Sequence, residues 1–456
     1  MPFMPFQILG IWLRGLLSIA ILAGGIYLLT RWYDDAHVTE PAAPAAPAAP
    51  AATDAPPRAA APDLDRQPPA AVPTRRVFRF APAWDRTTAL LAGGLALLTW
   101  AFAGSLIGRG LTMLTLRSGS ASPANPASPA NPAAARGRDG AGAATEPDED
   151  PEALRTGEVH TINRPDGSVL RVECYGPADA PPIVLTHGWG SDSTEWFYLK
   201  RHLAGRFRLI AWDEPGLGLS KKPDNNDYRL EKMAADLEAV LAFAGDRPAV
   251  LLGHSIGGMI ILTFCKLFPE ALGRRVSGLI LVHTSYTNPV RTTEMAWLYN
   301  PLEKPVLVPL LHLTIALWPL VWLMNGMSYL NGSAQRSTHK SSFGGTETRG
   351  QLDFVARAIP KARPDVLARG MFGMLAYDAT AVLPAIGVPT LVVIGDQDST
   401  TVPEAGRFIA REIPGGELAT LAPAKHMGLI EHHGRFNQLV AGFVDARRAS
   451  AGTATR

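Results

Sequence analysis

The six residues Gly253-His254-Ser255-Ile256-Gly257-Gly258 constrain this chain more than any other stretch. The apolar run Ala249-Val250-Leu251-Leu252 stops at them, and a mostly apolar, helix-compatible run over 259–268 follows. That order predicts a strand, a sharp turn carrying a serine, and a helix. So tight a turn strains the serine backbone and leaves no room for side chains on either side, hence the glycines. The strain holds a hydroxyl above the sheet at a helix N-terminus, where backbone N–H groups face developing negative charge. Taken alone, the pattern also describes a glycine-rich turn before a core helix, so the rest of the chain decides.

The surrounding sequence supplies a sheet for that turn. From about residue 156 of the 456, strand-like and helix-like runs alternate, the mark of a largely parallel α/β sheet. Strands are expected at 169–175 (an early antiparallel strand), 183–186, 208–212, 249–252, 278–282, 390–394 and 418–421. Helices are expected at 196–203, 230–243, 259–268 and 436–447. The two cysteines, Cys174 and Cys265, fall in a strand and a helix and read as small buried hydrophobes, with no disulfide framework and no metal motif. Net charge is only +2 and no basic patch interleaves with aromatics, which excludes an electrostatic case for nucleic acid.

Three further motifs follow the predicted strands. His187-Gly188-Trp189-Gly190 comes after the strand at 183–186, where a glycine-rich loop can turn backbone N–H groups toward the serine. Asp213-Glu214-Pro215-Gly216-Leu217-Gly218 comes after the strand at 208–212. Late in the chain stand Gly395-Asp396-Gln397-Asp398 and Lys425-His426-Met427-Gly428. A nucleophile, then an acid, then a histidine is the order expected when a serine sits on a strand-to-helix elbow.

On these motifs the chain over roughly 156–448 resembles the α/β-hydrolase superfamily, and with its N-terminal segments it resembles the membrane-anchored, monoacylglycerol-lipase-like esterase branch. The resemblance implies an α/β-hydrolase fold with a helical cap, in which Ser255 matches the nucleophile, His426 the general base, and the backbone N–H groups of Trp189 and Ile256 the oxyanion donors. Asp398 matches the acid, with Asp396 as the rival whose alternative role is to cap the turn. His187 and His254 belong to their motifs as structural residues, and His432 and His433 are expected in solvent. No metal or organic cofactor is implied. Lys425 stands where relatives often have glycine, facing solvent or, alternatively, touching the site.

The N-terminal third carries two apolar segments. Residues 7–30 hold one charge, Arg14, with Trp12, Tyr27, Trp32 and Tyr33 suited to interfaces. They read as an anchor helix (1–30), with a cleaved signal peptide as the rival. Residues 87–108 are uncharged and match a bilayer crossing, so two transmembrane helices are expected, against the alternative of a buried helix. Pro/Ala-rich linker sequence occupies 31–86, and a low-complexity, disordered linker occupies 109–155. Positive charges near the spans point to a cytoplasmic loop and an exoplasmic or periplasmic enzyme domain. The hydrolase core is expected at 156–284 and 383–448, the cap at 285–382 and a tail at 449–456.

Within the cap, 306–324 reads as a membrane span by hydropathy. A single crossing there would separate Ser255 from His426 with no span to bring the chain back. The stretch is therefore buried in the cap or lies in the membrane surface, broken by Pro309 and Pro319. Residues 333–350 are polar and expected to be a mobile loop. The expected activity is hydrolysis of a lipid-like acyl ester. Carbon–carbon, amide or thioester cleavage, perhydrolysis, or a non-catalytic scaffold are the alternatives, and the serine disfavours epoxide hydrolase and dehalogenase chemistry.

Overall fold

The computed structural model describes residues 5–41, 74–79, 85–101, 110 and 155–454. Contacts divide the chain into two units, residues 16–104 and the remainder.

In the smaller unit, α1 (Pro5–Ala36) extends from the other unit and runs past the expected end of the anchor at residue 30. Its part from Gly15 to Ala36 is the one described helix long and apolar enough to cross a bilayer unbroken. The second expected span, 87–108, is described as α2 (Arg86–Thr99), and residues 102–109 lie outside the described residues. Asp85 caps α2, its carboxylate accepting from Thr88 N at 2.8 Å. Gly25 and Gly94 let these helices touch closely. A Cβ on Gly25 would stand 3.3 Å from the Gly94 carbonyl, and one on Gly94 3.2 Å from that of Gly25. The Pro/Ala-rich linker expected over 31–86 carries two strands in its described parts. β1 (His37–Pro41) and β2 (Thr74–Phe78) pair antiparallel, with Glu40 bridging to Arg79. The Pro/Ala tract dominated the composition there and masked the β-favouring Val38, Thr39, Val77 and Phe78.

The larger unit is built on eight strands: β3 (Glu158–Asn163), β4 (Val169–Tyr175), β5 (Pro182–Thr186), β6 (Arg208–Trp212), β7 (Ala249–His254), β8 (Val276–Val282), β9 (Thr390–Gly395) and β10 (Glu417–Leu421). Their order is β10-β9-β8-β7-β5-β6-β4-β3, parallel from β10 to β6, with β4 antiparallel to β6 and β3 antiparallel to β4. The central strands β5, β7 and β9 are buried throughout, as parallel strands covered on both faces must be. β3 escapes a hydrophobic-period reading because five of its six residues are exposed. β5 lies between β6 and β7, so the chain reverses its winding direction there. The crevice outside the carboxyl ends of β5 and β7 is where such sheets bind ligands.

Helices flank the sheet: α3 (Phe197–Leu203), α4 (Leu230–Phe243), α5 (Ile256–Leu267), then, after the insertion, α12 (Pro403–Glu412), α13 (Gly428–Glu431) and α14 (His433–Ala454). The last runs into the expected tail at 449–456. Both cysteines are free and buried, and burial pushes the Cys265 thiol up to about 12.

Between β8 and β9 stand α6 (Ala296–Leu302), α7 (Val308–Ala316), α8 (Trp318–Leu330), α9 (Ser333–Ser342), α10 (Arg349–Lys361) and α11 (Pro364–Leu375). The apolar stretch 306–324 is broken as its prolines require. Pro309 and Pro319 each sit in the first turn of a helix, and the chain bends by 95° between α7 and α8. No Asp, Glu, Lys or Arg occurs between Lys304 and Arg336, and Leu317, Trp322, Leu323 and Leu330 are exposed on this pair of helices. The mobile loop expected over 333–350 is corrected. Its first ten residues are α9, and the following segment is pinned by Glu431, which accepts from Gly344 N and Thr346 N at 2.7 Å each. α9 is polar because Gln335, Thr338 and Ser342 face inward, so polarity marked a buried hydrogen-bonding face rather than a loop.

Candidate functional site

β7 ends at His254 and α5 begins at Ile256, leaving Ser255 alone at the turn with φ 54° and ψ −117°. A residue with a side chain at positive φ costs on the order of 1–3 kcal/mol and persists only where its surroundings impose it. Here the surroundings are backbone. A Cβ on Gly253 would lie 2.4 Å from the Gly257 carbonyl carbon, and one on Gly257 would lie 2.3 Å from the Thr186 carbonyl oxygen. Ser255 N–H donates to the Val282 carbonyl at 2.9 Å, tying the turn to β8.

The structure brings Ser255, His426 and Asp398 into one line. Ser255 Oγ is 3.0 Å from His426 Nε2, and His426 Nδ1 is 2.9 Å from Asp398 Oδ2. Asp398 also accepts from Thr400 N at 2.8 Å, Thr401 N at 3.1 Å and Thr401 Oγ1 at 2.8 Å. Burial alone would raise its carboxyl. The adjacent His426, its hydrogen bond, and the nearby His283 ring instead hold it well below the usual carboxylate range. Burial drives His426 the other way, down to about 4, outweighing Asp398. At neutral pH the imidazole is thus an unprotonated base, and Nδ1–H donating to Asp398 leaves Nε2 free to accept from Ser255.

Asp396, the rival acid, lies elsewhere. Its carboxylate accepts from Ala424 N at 2.8 Å and fixes the loop that carries His426. Lys425 turns away and donates to the Lys340 carbonyl at 2.6 Å. His432 and His433, expected in solvent, are half-buried. His432 Nε2 lies 2.6 Å from the Pro423 carbonyl, and the His433 ring stacks on Tyr198 at 3.9 Å.

The two expected oxyanion donors flank the serine turn. Ile256 N–H opens α5 and has no carbonyl one turn earlier to bond. Trp189 sits in the loop after β5, whose first residues pack on Gly257. The Trp189 ring is locked, its Nε1–H donating to the Leu367 carbonyl at 3.1 Å and its face against Gly370. His187 shapes the same loop: Nδ1–H donates to the Gly188 carbonyl at 2.9 Å, and Nε2 accepts from Glu214 N at 3.0 Å. The Glu214 carboxyl is fully buried, and burial lifts it to about 8, so it is neutral at pH 7.

Sequence reading passed over Glu195 and His283 and gave His254 only a structural place. Glu195 accepts from Gly188 N at 3.2 and 3.3 Å and lies 2.7 Å from His254 Nδ1. His283, at φ 44°, places Nδ1 3.4 Å from Asp398 Oδ2. The one signal for His283 was its position just past the carboxyl end of β8. Glu195 had none.

A solvent-open pocket of about 880 Å³ adjoins the site. It reaches Trp189 and Met427, the latter next to His426, and is lined by hydroxyl-bearing Ser337 and Thr338 of α9 and by Phe354, Val355 and Ile359 of α10. Among the described residues no group of three or more His, Cys, Asp or Glu side chains is arranged to hold a metal.

Comparison with known proteins agrees with this fold. Residues 181–433 match the family described as alpha/beta hydrolase fold. The chain is 26% identical to 3-oxoadipate enol-lactonase 1 of Acinetobacter baylyi over 290 residues, 63% of this chain and 98% of the lactonase. It is 30% identical over 327 residues to the polyketide synthase ThaQ of Burkholderia thailandensis; the match covers 67% of this chain and 14% of the synthase. The crystal structure of a membrane phospholipase A, a bacterial virulence factor, superimposes with TM-score 0.52 at 21% identity, covering 65% of this chain and 89% of that one. At that identity the likeness is one of fold.

Proposed function

The chain belongs to the α/β-hydrolase fold family, and from that premise we propose that it is a membrane-anchored serine hydrolase that cleaves a carboxylic, lipid-like acyl ester through an acyl-enzyme intermediate. The observation that carries this reading is the line from Ser255 Oγ to His426 Nε2 to Asp398 Oδ2, at 3.0 and 2.9 Å, built on a strained turn.

In this mechanism Ser255 attacks the ester carbonyl as His426 Nε2 takes its proton. Asp398 holds the imidazole tautomer and stabilises the imidazolium. The N–H groups of Ile256 and Trp189 receive the tetrahedral oxyanion, each donor worth roughly 3 kcal/mol of barrier. His426 then protonates the departing alcohol, and a water activated by the same imidazole releases the acid. These steps use only the chain's own groups and water.

Membrane attachment rests on the apolar helix from Gly15 to Ala36 and on α2 as a second, returning span. Two crossings return the chain to its starting side, and the positive charges flanking the intervening loop favour an exoplasmic hydrolase unit. The exposed apolar face of α7 and α8 is read as resting in the lipid surface. Trp12 and Gly15 of α1 support this, because they pack on the same helices. Trp12 Nε1–H donates to Thr314 Oγ1 at 3.5 Å, and Gly15 lies against Met324.

The test is a panel of esters, amides and thioesters that share one acyl chain, assayed with the full-length protein in detergent. Esters are expected to turn over fastest, and more so as the acyl chain lengthens. Faster turnover of the amide or thioester would displace the ester reading.

A further inference from the structure

His254, one residue before the serine, is fully buried, and both of its ring nitrogens face acceptors. Nδ1 lies 2.7 Å from Glu195 Oε1, and Nε2 lies 3.1 Å from the backbone carbonyl of His426. A neutral imidazole has one N–H and can satisfy only one of these contacts. A carbonyl has no hydrogen to give. The second proton therefore belongs to the pair formed by His254 and Glu195. The glutamate is the poorer place for it, because both of its oxygens already accept from Gly188 N–H, and bonds of that kind favour the ionised carboxylate.

We propose that His254 is a buried imidazolium paired with the Glu195 carboxylate, and that this pair positions His426 and lowers its basicity for the reaction proposed above. His254 and Glu195 are positioning residues: they touch the backbone of the base and of the oxyanion loop rather than the substrate. One carboxylate holds Gly188 N–H, adjacent to Trp189, and through His254 it holds the carbonyl of His426, 172 positions further along the chain than His254. The oxyanion loop and the base are thus braced by a single ion pair beneath the serine.

The electrostatic consequence follows from distance. The His254 and His426 ring centres are 5.0 Å apart, so a cation on the first opposes a cation on the second. The other groups facing His254 are Glu195 and His283, whose ring crosses it at 6.0 Å. Behind these stand Asp398, on His426 and His283, and the His187 and Glu214 pair. Of the groups in direct contact, only Glu195 offers His254 a negative charge, so Glu195→Gln removes the reason for its second proton.

The inference rests on the hydrolase reading, but its test does not need turnover. Full-length protein with ¹⁵N-labelled histidine, reconstituted in nanodiscs, is compared with His254→Gln to assign the ring signals. The expected result is two protonated ring nitrogens on His254 at pH 8, and one in Glu195→Gln. In parallel, the acid limb of kcat/KM in Glu195→Gln is expected to move up by about one pH unit, since a neighbouring cation has been lost. A purely structural brace would lower activity without moving the limb. A singly protonated His254 at pH 8, or an unmoved limb, overturns the proposal. If Glu195→Gln does not fold, the spectrum of the unsubstituted protein decides. Absence of any ester hydrolysis would instead overturn the hydrolase reading and leave the His254 spectrum interpretable on its own.

Discussion

His426 Nε2 stands 3.0 Å from Ser255 Oγ, although the chain between them makes the whole helical insertion and three further strands. The contact exists because β7, β9 and β10 are parallel strands of one sheet, so the loops carrying Ser255, Asp398 and His426 all leave its carboxyl edge and meet there. Asp398→Asn would leave the geometry in place but favour the wrong tautomer of His426. A fall of roughly 10⁴-fold in kcat is expected. Asp396→Ala removes the hydrogen bond to Ala424 N and should cost about 1 kcal/mol of stability with a much smaller effect on rate. Steady-state kinetics on both variants identify the acid, and equal losses would contradict the assignment.

The depressed pKa of His426 sets the acid limit of the reaction. The base works only when neutral, and burial brings its pKa to about 4, so kcat/KM should hold as pH falls below the ordinary imidazole range and decline only near that value. A limb at or above about 6.5, the unperturbed histidine value, would be inconsistent with the buried site. The free-enzyme pH profile measures this directly.

Gly257 has no space for a methyl group, since its Cβ would stand 2.3 Å from the Thr186 carbonyl oxygen. Gly257→Ala must push the serine turn away from β5 and the oxyanion loop. A destabilisation of about 1–3 kcal/mol is expected, with a larger proportional loss of kcat than of substrate binding. Urea unfolding and kinetics on the folded fraction separate the two effects.

The apolar face of α7 and α8 predicts binding to lipid. Leu317→Asp with Leu323→Asp places two charges on residues that are 39% and 57% exposed, so the fold should survive. Flotation with liposomes of a chain beginning at residue 119 should show binding that these substitutions weaken several-fold. Unchanged binding would assign the face to another role.

Much of the hydrolase unit was legible because its chemistry sits at strand ends. The glycines around Ser255, the loop after β5 and the Gly-Asp-Gln-Asp and His-Met-Gly motifs each carry a local pattern tied to a turn. What stayed hidden was long-range. Glu195 meets His254 across 59 positions, and His283 meets Asp398 only after β8 and β9 are side by side. No periodicity encodes such pairs. Local composition misled where one tract outweighed its neighbours: the prolines over 41–74 obscured β1 and β2, and the polar sequence of α9 read as loop although Gln335, Thr338 and Ser342 face inward.

The most direct test of the central claim is labelling of the full-length protein in membranes with a fluorophosphonate probe, together with hydrolysis of a long-chain ester. The probe should modify Ser255 alone, and Ser255→Ala should abolish labelling and lower hydrolysis by at least about 10⁴-fold. Folded protein that resists the probe, or Ser255→Ala protein that keeps its ester hydrolysis, would contradict the account.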